Sequence, residues 1–310
     1  TTKAVFDFVN YLNSNCEESK VLLETFTFCI IPMLNPDGAA AYTRVNANEV
    51  DLNRDAKNLT QPESKVLRTV FQNFKPDYCY NLHDQRTIFG VGNTGKPATV
   101  SFLSPAFNED RNWNDCREKA ASVIVAMNSE LQKHIPGQIG RFDDSFNINC
   151  VGDMFQFLNV PTILFEAGHF PEDYEREITR KYIFIALLSS VRYLRENDVV
   201  RNKIEDYLNI PQNKFVFYDF VCKNVKINYD STEKSLNFAV QYKEVLKQDR
   251  IEFEAYIAQI DTLENYFGHQ EINVEGEIYN NDQNKLPIID EKANFSRGKH
   301  VKFVNGIKIC

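Results

Sequence analysis

Residues 159–170 read NVPTILFEAGHF and contain the apolar run on which the fold prediction rests. The run is continuous rather than alternating, which is typical of a strand in a sheet that is covered on both faces. A helical pattern follows it from about residue 171 to 197, and another precedes it between about residues 109 and 135. The stretch therefore predicts a buried strand that is packed between helices.

Strands and helices also alternate upstream of this run. The pattern predicts a helix over residues 2–13, a strand over residues 26–34 and a strand that ends at His83. Residues 60–63 have the spacing of a capping box, at the start of a helix that runs to about Phe74. This alternation predicts an α/β fold with a mostly parallel mixed sheet, covered by helices on both faces.

The pattern changes near residue 210. Short segments rich in aromatic and β-branched residues follow one another there, with turn residues between them, as in a small all-β module. A chain of 310 residues also has the length at which cores begin to divide. We therefore predict an α/β domain over residues 1–210 and a small C-terminal all-β domain over residues 211–310, whose role the sequence leaves open.

Composition argues against several kinds of partner. The formal net charge is −8 and the isoelectric point is near 5.3, whereas nucleic-acid binding normally begins with a basic face. No apolar run approaches the ~20 residues that span a bilayer, so no membrane partner is expected.

The seven cysteines form an odd set without a CxxC pair. We therefore expect a reducing, cytoplasmic environment, with small buried thiols at Cys29 and Cys79.

Two predicted strand ends carry side chains suited to chemistry, because ligands of open α/β sheets bind beyond the carboxyl ends of the strands. His83 suits a metal ligand, with Asp84 or Asp51 as the carboxylate that orients an imidazole. A hydrogen-bonded core histidine is the alternative. Glu166 follows a mostly apolar strand and suits a general base with a raised pKa, or a carboxylate paired with the start of the next helix.

The loop from Asn35 to Asp55 reads NPDGAAAYTRVNANEVDLNRD and crowds amides, acids and two arginines behind a predicted strand. The planar forks of Arg44 and Arg54 suit carboxylates, and Asn53 adds an amide beside them. These side chains are candidates to hold the anionic end of a substrate. Solvated loop arginines are the alternative, and NPDG alone is a good turn sequence.

Taken together and in order, these motifs resemble the zinc carboxypeptidase family of metallopeptidases. The resemblance covers about residues 1–200, and the short interval between Arg54 and His83 is similar to that of a shorter bacterial branch. The residues that carry it are NPDG from Asn35, Arg44, DLNR from Asp51, NLHD with His83, and FEAG with Glu166.

The resemblance implies a zinc-dependent hydrolase that removes the C-terminal residue of a peptide. It implies that His83 is a zinc ligand and that Glu166 activates a metal-bound water. Asn53 and Arg54 would grip the terminal carboxylate of the substrate. Arg44 would polarise the scissile carbonyl group and stabilise the oxyanion that develops on it.

Part of the family pattern finds no match. Asp51 matches the residue that supports a zinc-bound histidine, but the family takes its other two zinc ligands from a His-x-x-Glu motif before the first long helix, where this chain begins. Only His169 and Glu172 have that spacing, and their place after Glu166, with Pro171 between them, favours coincidence. We therefore expect that an N-terminal segment with two ligands is lacking and that this chain alone is inactive.

Two other functions stay open at this point. A deacylase of N-acyl amino acids would use the same fold, although the complete NPDG and DLNR loop suits a peptide terminus. A non-catalytic carboxylate-binding module would keep the arginines without the zinc. A nucleotide-binding protein is disfavoured, because no glycine-rich phosphate motif joins a strand to a helix. The expected partner is thus a peptide C-terminus or a small carboxylate substrate.

Overall fold

The computed structural model describes residues 1–197, 203–229, 232–281, 286–297 and 301–309. Its helices are α1 (Thr2–Leu12), α2 (Glu17–Thr25), α3 (Pro36–Ala41), α4 (Pro62–Phe74), α5 (Asp115–Leu131), α6 (Val151–Phe157), α7 (Glu177–Glu196) and α8 (Ile204–Leu208), with a 3₁₀ turn at Leu52–Arg54. Its strands are β1 (Cys79–Asp84), β2 (Phe89–Val91), β3 (Val100–Leu103), β4 (Ile139–Arg141), β5 (Thr162–Ala167), β6 (Asn213–Phe215), β7 (Phe217–Tyr229), β8 (Thr232–Lys247), β9 (Arg250–Asp261), β10 (Phe267–Asn273), β11 (Tyr279–Asn280), β12 (Phe295–Arg297), β13 (Val301–Val304) and β14 (Ile307–Lys308).

The chain divides into two compact units. The first holds residues 1–86 and 96–213, and the second holds residues 87–95 and 214–310. The first unit is α/β and the second is built from β-strands, so the predicted fold class is confirmed. The assignment of functional domains to residues 1–210 and 211–310 stays a prediction.

The first unit is built on a four-stranded mixed sheet with the order β1-β5-β3-β4. β1 runs parallel to β5, β5 runs antiparallel to β3, and β3 runs parallel to β4. β5 is the strand predicted from the apolar run, and it has a neighbour on each side. Its backbone is therefore hydrogen-bonded along both edges, which fixes the positions of its side chains.

Side chains of β5 alternate between two packed faces. Ile163 and Phe165 point into the main core and are fully buried there among residues of α1, α5 and α7. Glu166 points to the opposite face. On that side of the sheet, Phe71 of α4 stacks on Phe155 of α6 at a centroid distance of 4.2 Å. Helices thus pack against both faces of the sheet.

The second unit contains two four-stranded sheets, with the orders β10-β7-β8-β9 and β11-β12-β13-β14, and β2 pairs with β6. Aromatic rings fill its core, where Phe295 stacks on Phe303 at 4.7 Å and meets Phe238 edge to face at 5.1 Å. These rings are nearly or fully buried. Within the described ranges, no helix of either unit is long and apolar enough to cross a membrane.

The predicted strand over residues 26–34 is wrong. The structure gives this segment no strand neighbour among the residues it describes, and Ile30, Ile31 and Met33 are exposed. An apolar, β-branched run favours extended backbone, but a strand forms only when another strand pairs with it. Cys29 is accordingly exposed rather than buried, whereas Cys79 is half-buried in β1.

The predicted start of α4 is also wrong in detail. Gln61 is the N-cap residue and makes no side-chain capping bond, while the backbone N–H and hydroxyl of Thr60 donate to the Asp55 carboxylate at 3.0 and 2.8 Å. The hydroxyl of Thr60, which was expected to cap α4, is therefore hydrogen-bonded to Asp55 instead.

Helix α5 begins at Asp115 rather than near residue 109. Asn114 caps it, because its side chain accepts the backbone N–H of the third helical residue.

Candidate active site

His83 and Glu166 lie side by side at the carboxyl ends of two parallel strands. They are register partners of β1 and β5, so their side chains leave the same face of the sheet. Ser101 of β3 is the register partner of Glu166 on the other side. The sheet thus brings together two residues that are 83 positions apart in the sequence.

Glu166 is a buried carboxyl group with a strongly raised pKa. Its residue is 8% exposed, and burial, reinforced by the negative charge of Asp84, raises the pKa to about 8. The charges of Arg44 and Arg176 act in the opposite direction. A carboxyl group with a pKa close to neutral can both accept and return a proton, as general acid–base catalysis requires.

His83 is held in its neutral form at neutral pH. Burial is the main cause that lowers its pKa, and the positive charge of Arg44 adds to it, while Asp84 and Asp51 oppose the shift. Its Nε2 lies 3.1 Å from Oδ1 of Asn81, two residues earlier on the same face of β1. With the proton on Nε2 this contact is a hydrogen bond, and Nδ1 then carries the free lone pair.

The opening loop begins with a helix rather than a simple turn. Asn35 caps α3, because its Oδ1 accepts the backbone N–H of Gly38 at 2.9 Å. A Cβ atom on Gly38 would lie 2.2 Å from Nδ2 of Asn35 and 2.7 Å from the backbone oxygen of Val45. Only glycine fits there, so NPDG fixes the path by which the chain reaches Arg44.

Arg44 and Asp51 form an ion pair within this loop. Nε of Arg44 donates to Oδ2 of Asp51 at 2.7 Å, and the other oxygen of Asp51 accepts the backbone N–H of Asn53 at 2.9 Å. The Arg44 side chain is 63% exposed. The pair therefore orients the guanidinium group while it stays open to solvent.

Asn53 and Arg54 join the opening loop to the start of α6. Oδ1 of Asn53 accepts the backbone N–H of Val151 at 2.8 Å. Nη1 of Arg54 donates to the backbone oxygen of Asn53 at 2.7 Å and to Sγ of Cys150 at 3.1 Å. Because Arg54 also contributes to the pKa of His83, this cationic group acts on the same site as the strand-end residues.

The described residues do not complete the zinc site that the resemblance implies. No group of three or more histidine, cysteine, aspartate or glutamate side chains is placed to hold a metal ion in the described ranges. His83 is one suitable imidazole, but His169 does not add a second. It is 2% exposed and lies against the ring of Tyr174 at 4.7 Å, whereas Glu172 is exposed.

Some contributors to the site were not identified from the sequence. Asn81 had a usable signal, because residues i and i+2 of a strand share a face and His83 was already a candidate. Cys150 and Val151 had no such signal, since they reach Arg54 and Asn53 across more than ninety residues. Contacts of that kind depend on the packing of α6, which local sequence patterns do not report.

The family comparison matches the first part of the chain. Residues 1–83 match the zinc carboxypeptidase family, which confirms the resemblance over the opening loop and as far as His83. Glu166 lies outside the matched residues. The bacterial branch that the sequence suggested stays a prediction.

Curated relatives of this chain are carboxypeptidases. "Probable carboxypeptidase 2" of Arthroderma benhamiae is 29% identical over 105 residues, which are 33% of this chain and 19% of that protein. Carboxypeptidase SOL1 of Arabidopsis thaliana is 36% identical over 75 residues, 21% of this chain and 15% of that protein. The matches thus span about a fifth or less of the length of these relatives.

A solved structure of a candidate metallopeptidase from Shewanella denitrificans OS217 also overlaps this chain. The overlap covers 62% of this chain and 68% of that one, at 15% identity and a TM-score of 0.40. A similarity at this level supports no argument about function.

Proposed function

We propose that this protein is a metallocarboxypeptidase, which hydrolyses the last peptide bond of a substrate with a free C-terminus. The observation that carries the proposal is that His83 and Glu166 are register partners on neighbouring strands. Glu166 is a buried carboxyl group with a pKa of about 8, and the positive charge of Arg44 acts on it. The family match over residues 1–83 supports the same conclusion.

Asn53 and Arg54 bind the substrate's terminal carboxylate in this proposal. A guanidinium fork matches the geometry of a carboxylate, and the bond from the Val151 N–H to Asn53 holds the two residues before the substrate arrives. Recognition of the carboxylate places the last peptide bond, and no other, next to the reacting groups.

Glu166 accepts a proton from the attacking water and returns it to the amine that leaves. Its raised pKa brings proton affinity close to that needed at neutral pH. Arg44 stabilises the negative charge that develops on the carbonyl oxygen, since the Nε bond to Asp51 holds its guanidinium group while 63% of the side chain stays exposed.

Zinc is part of the proposal because the matched family is one of zinc carboxypeptidases. His83 would be a ligand through a neutral imidazole. The residues that the structure describes supply no complete ligand set, so the roles given above rest on this chain's own side chains. Metal analysis of the protein expressed from its natural start codon tests this part.

A carboxylate-binding protein without catalysis is the second candidate. The observation that favours it is the contrast between an ordered loop with Arg44, Asn53 and Arg54 and an incomplete metal-ligand set in the described ranges. Such a protein would bind a peptide C-terminus and release it unchanged.

One set of assays separates these functions. The protein expressed from its natural start codon is given peptides with a free C-terminus, the same peptides as C-terminal amides, and N-acyl amino acids. Release of the last residue from free-acid peptides alone supports the carboxypeptidase. Cleavage of acyl amino acids alone supports the deacylase, and binding without turnover supports the non-catalytic module.

A further inference from the structure

Arg176 joins the ends of the two strands that carry His83 and Glu166. Its Nη1 donates to the backbone oxygens of Gln85 and Ala167, each at 2.9 Å. Ala167 is the last residue of β5, and Gln85 directly follows β1. The guanidinium group therefore contacts the chain one residue beyond Glu166 and two residues beyond His83.

A third hydrogen bond lies within the same junction. The backbone N–H of Gln85 donates to the oxygen of Ala167 at 2.8 Å, so this oxygen accepts both from the residue after β1 and from Arg176. The side chain of Gln85 donates to the backbone oxygen of Ala98 at 2.6 Å. Gly168 packs against the same contact and has no room for a side chain, since a Cβ atom on it would lie 2.0 Å from the backbone oxygen of Ala98.

The backbone around Arg176 is fixed rather than adaptable. Asp173 accepts the backbone N–H groups of Glu177, Ile178 and Thr179 at 3.0, 2.7 and 3.2 Å, which anchors the start of α7. Arg176 itself has a left-handed backbone with φ of 60°, a conformation that favours glycine or asparagine. A strained arginine at a site with a specific contact indicates a function for its side chain.

We infer that Arg176 is a positioning residue for the proposed reaction: it holds the ends of β1 and β5 together and so keeps His83 and Glu166 in register. The catalytic consequence of this inference rests on the proposed function. Its structural consequence, closure of the strand ends, is independent of catalysis. The charge of Arg176 also opposes the rise of the Glu166 pKa, which supports its proximity to the site.

Amide hydrogen exchange measures the closure directly. In Arg176→Met the guanidinium is lost and an unbranched apolar side chain replaces the arginine's aliphatic stem, so the Gln85 amide should exchange at least tenfold faster than in wild type. Arg176→Lys keeps one donor and should recover part of the protection. Arg180→Met is the matched control, because Arg180 also lies at the start of α7 but pairs with Asp7 and Glu177.

Kinetics measure the catalytic consequence. Arg176→Met should lower kcat at least tenfold with KM changed less than threefold, and Arg176→Lys should restore part of kcat. Unchanged Gln85 exchange in Arg176→Met would overturn the inference, as would an exchange increase spread equally over all strands of the sheet. So would a parallel change of kcat and KM that the lysine variant does not rescue.

The two proposals fail in different ways. If the wild-type protein hydrolyses no peptide, the proposed function fails, but exchange at Gln85 still decides whether Arg176 closes the strand ends. If the wild-type protein is active and Arg176→Met keeps full activity, the positioning role fails and the proposed function stands.

Discussion

The side-chain oxygen of Asn53 accepts the backbone N–H of Val151, 98 residues further along the chain, at 2.8 Å. This bond ties the proposed carboxylate-binding loop to the first residue of α6. A loop held in this way loses little conformational freedom when substrate binds, which favours binding.

Replacement of Asn53 by alanine should therefore lower both stability and substrate affinity. The Val151 N–H loses its partner, and we expect the free energy of unfolding to fall by about 1–2 kcal/mol. We also expect KM for free-acid peptides to rise about tenfold, since one carboxylate donor is lost. Urea unfolding and peptide kinetics measure the two effects. Asn128→Ala, which removes a bond between α5 and its C-cap residue Gln132, should change stability without changing KM.

Arg54→Lys tests the geometry of carboxylate binding at constant charge. Lysine keeps the positive charge but lacks the planar fork, so KM for free-acid peptides should rise about tenfold to a hundredfold. C-terminal amide peptides provide the control, because they present no carboxylate to either side chain. Equal KM values for the wild type and the lysine variant would exclude Arg54 from the carboxylate-binding role.

Asp153 should make stability depend on pH. It is 8% exposed, and burial raises its pKa to about 6, above the value of about 3.9 for an unfolded chain. The folded state therefore binds the proton more tightly. The stabilisation this gives is fully present below about pH 4 and is lost as pH rises through 6.

The variant Asp153→Asn does not titrate there, so its unfolding free energy relative to wild type should increase between pH 4 and 7. The upper limit of the increase is about 3 kcal/mol. Urea unfolding at several pH values measures it, with Asp110→Asn at an exposed position as the control. A difference that stays constant or falls over this interval would contradict the assignment.

Asn81 should determine which nitrogen of His83 carries the proton. The 3.1 Å contact favours the neutral tautomer with the proton on Nε2, and burial lowers the pKa of the ring. We therefore expect the ¹⁵N NMR spectrum of the metal-free protein at pH 7.5 to show one protonated Nε2 and one unprotonated Nδ1. Asn81→Leu should give a mixture of tautomers, and a single unchanged tautomer in that variant would contradict the assignment.

Much of the first unit was predictable because its strongest signals are periodic. The apolar run of residues 159–170 and the helical pattern after it gave β5 and α7, and the strand ending at His83 is β1. The strand over residues 26–34 was not correctly predicted, because its pattern describes a preference and strand pairing depends on a distant partner. The same limit applies to the antiparallel pairing of β3 with β5.

The sequence offered candidate residues for the site but not the hydrogen bonds that join them. Motif order identified His83, Glu166, Arg44, Asn53 and Arg54. The bonds that orient them come from Asn81, Cys150, Val151 and Arg176. Cys150 and Val151 are more than ninety residues from the residues they contact, and Arg176 reaches Gln85 across 91 residues. Their contribution depends on how α6 and α7 pack beside the sheet, which only a three-dimensional structure reveals.

Hydrolysis of a free-acid peptide by the protein expressed from its natural start codon, compared with its Glu166→Gln variant, tests the central claim most directly. Glutamine keeps the size of the side chain but cannot accept and return the proton. We predict that the wild-type protein releases only the C-terminal residue and that the variant binds the same peptide but loses at least a thousandfold in kcat. Full activity of the variant, or no hydrolysis by the wild type, would contradict the account.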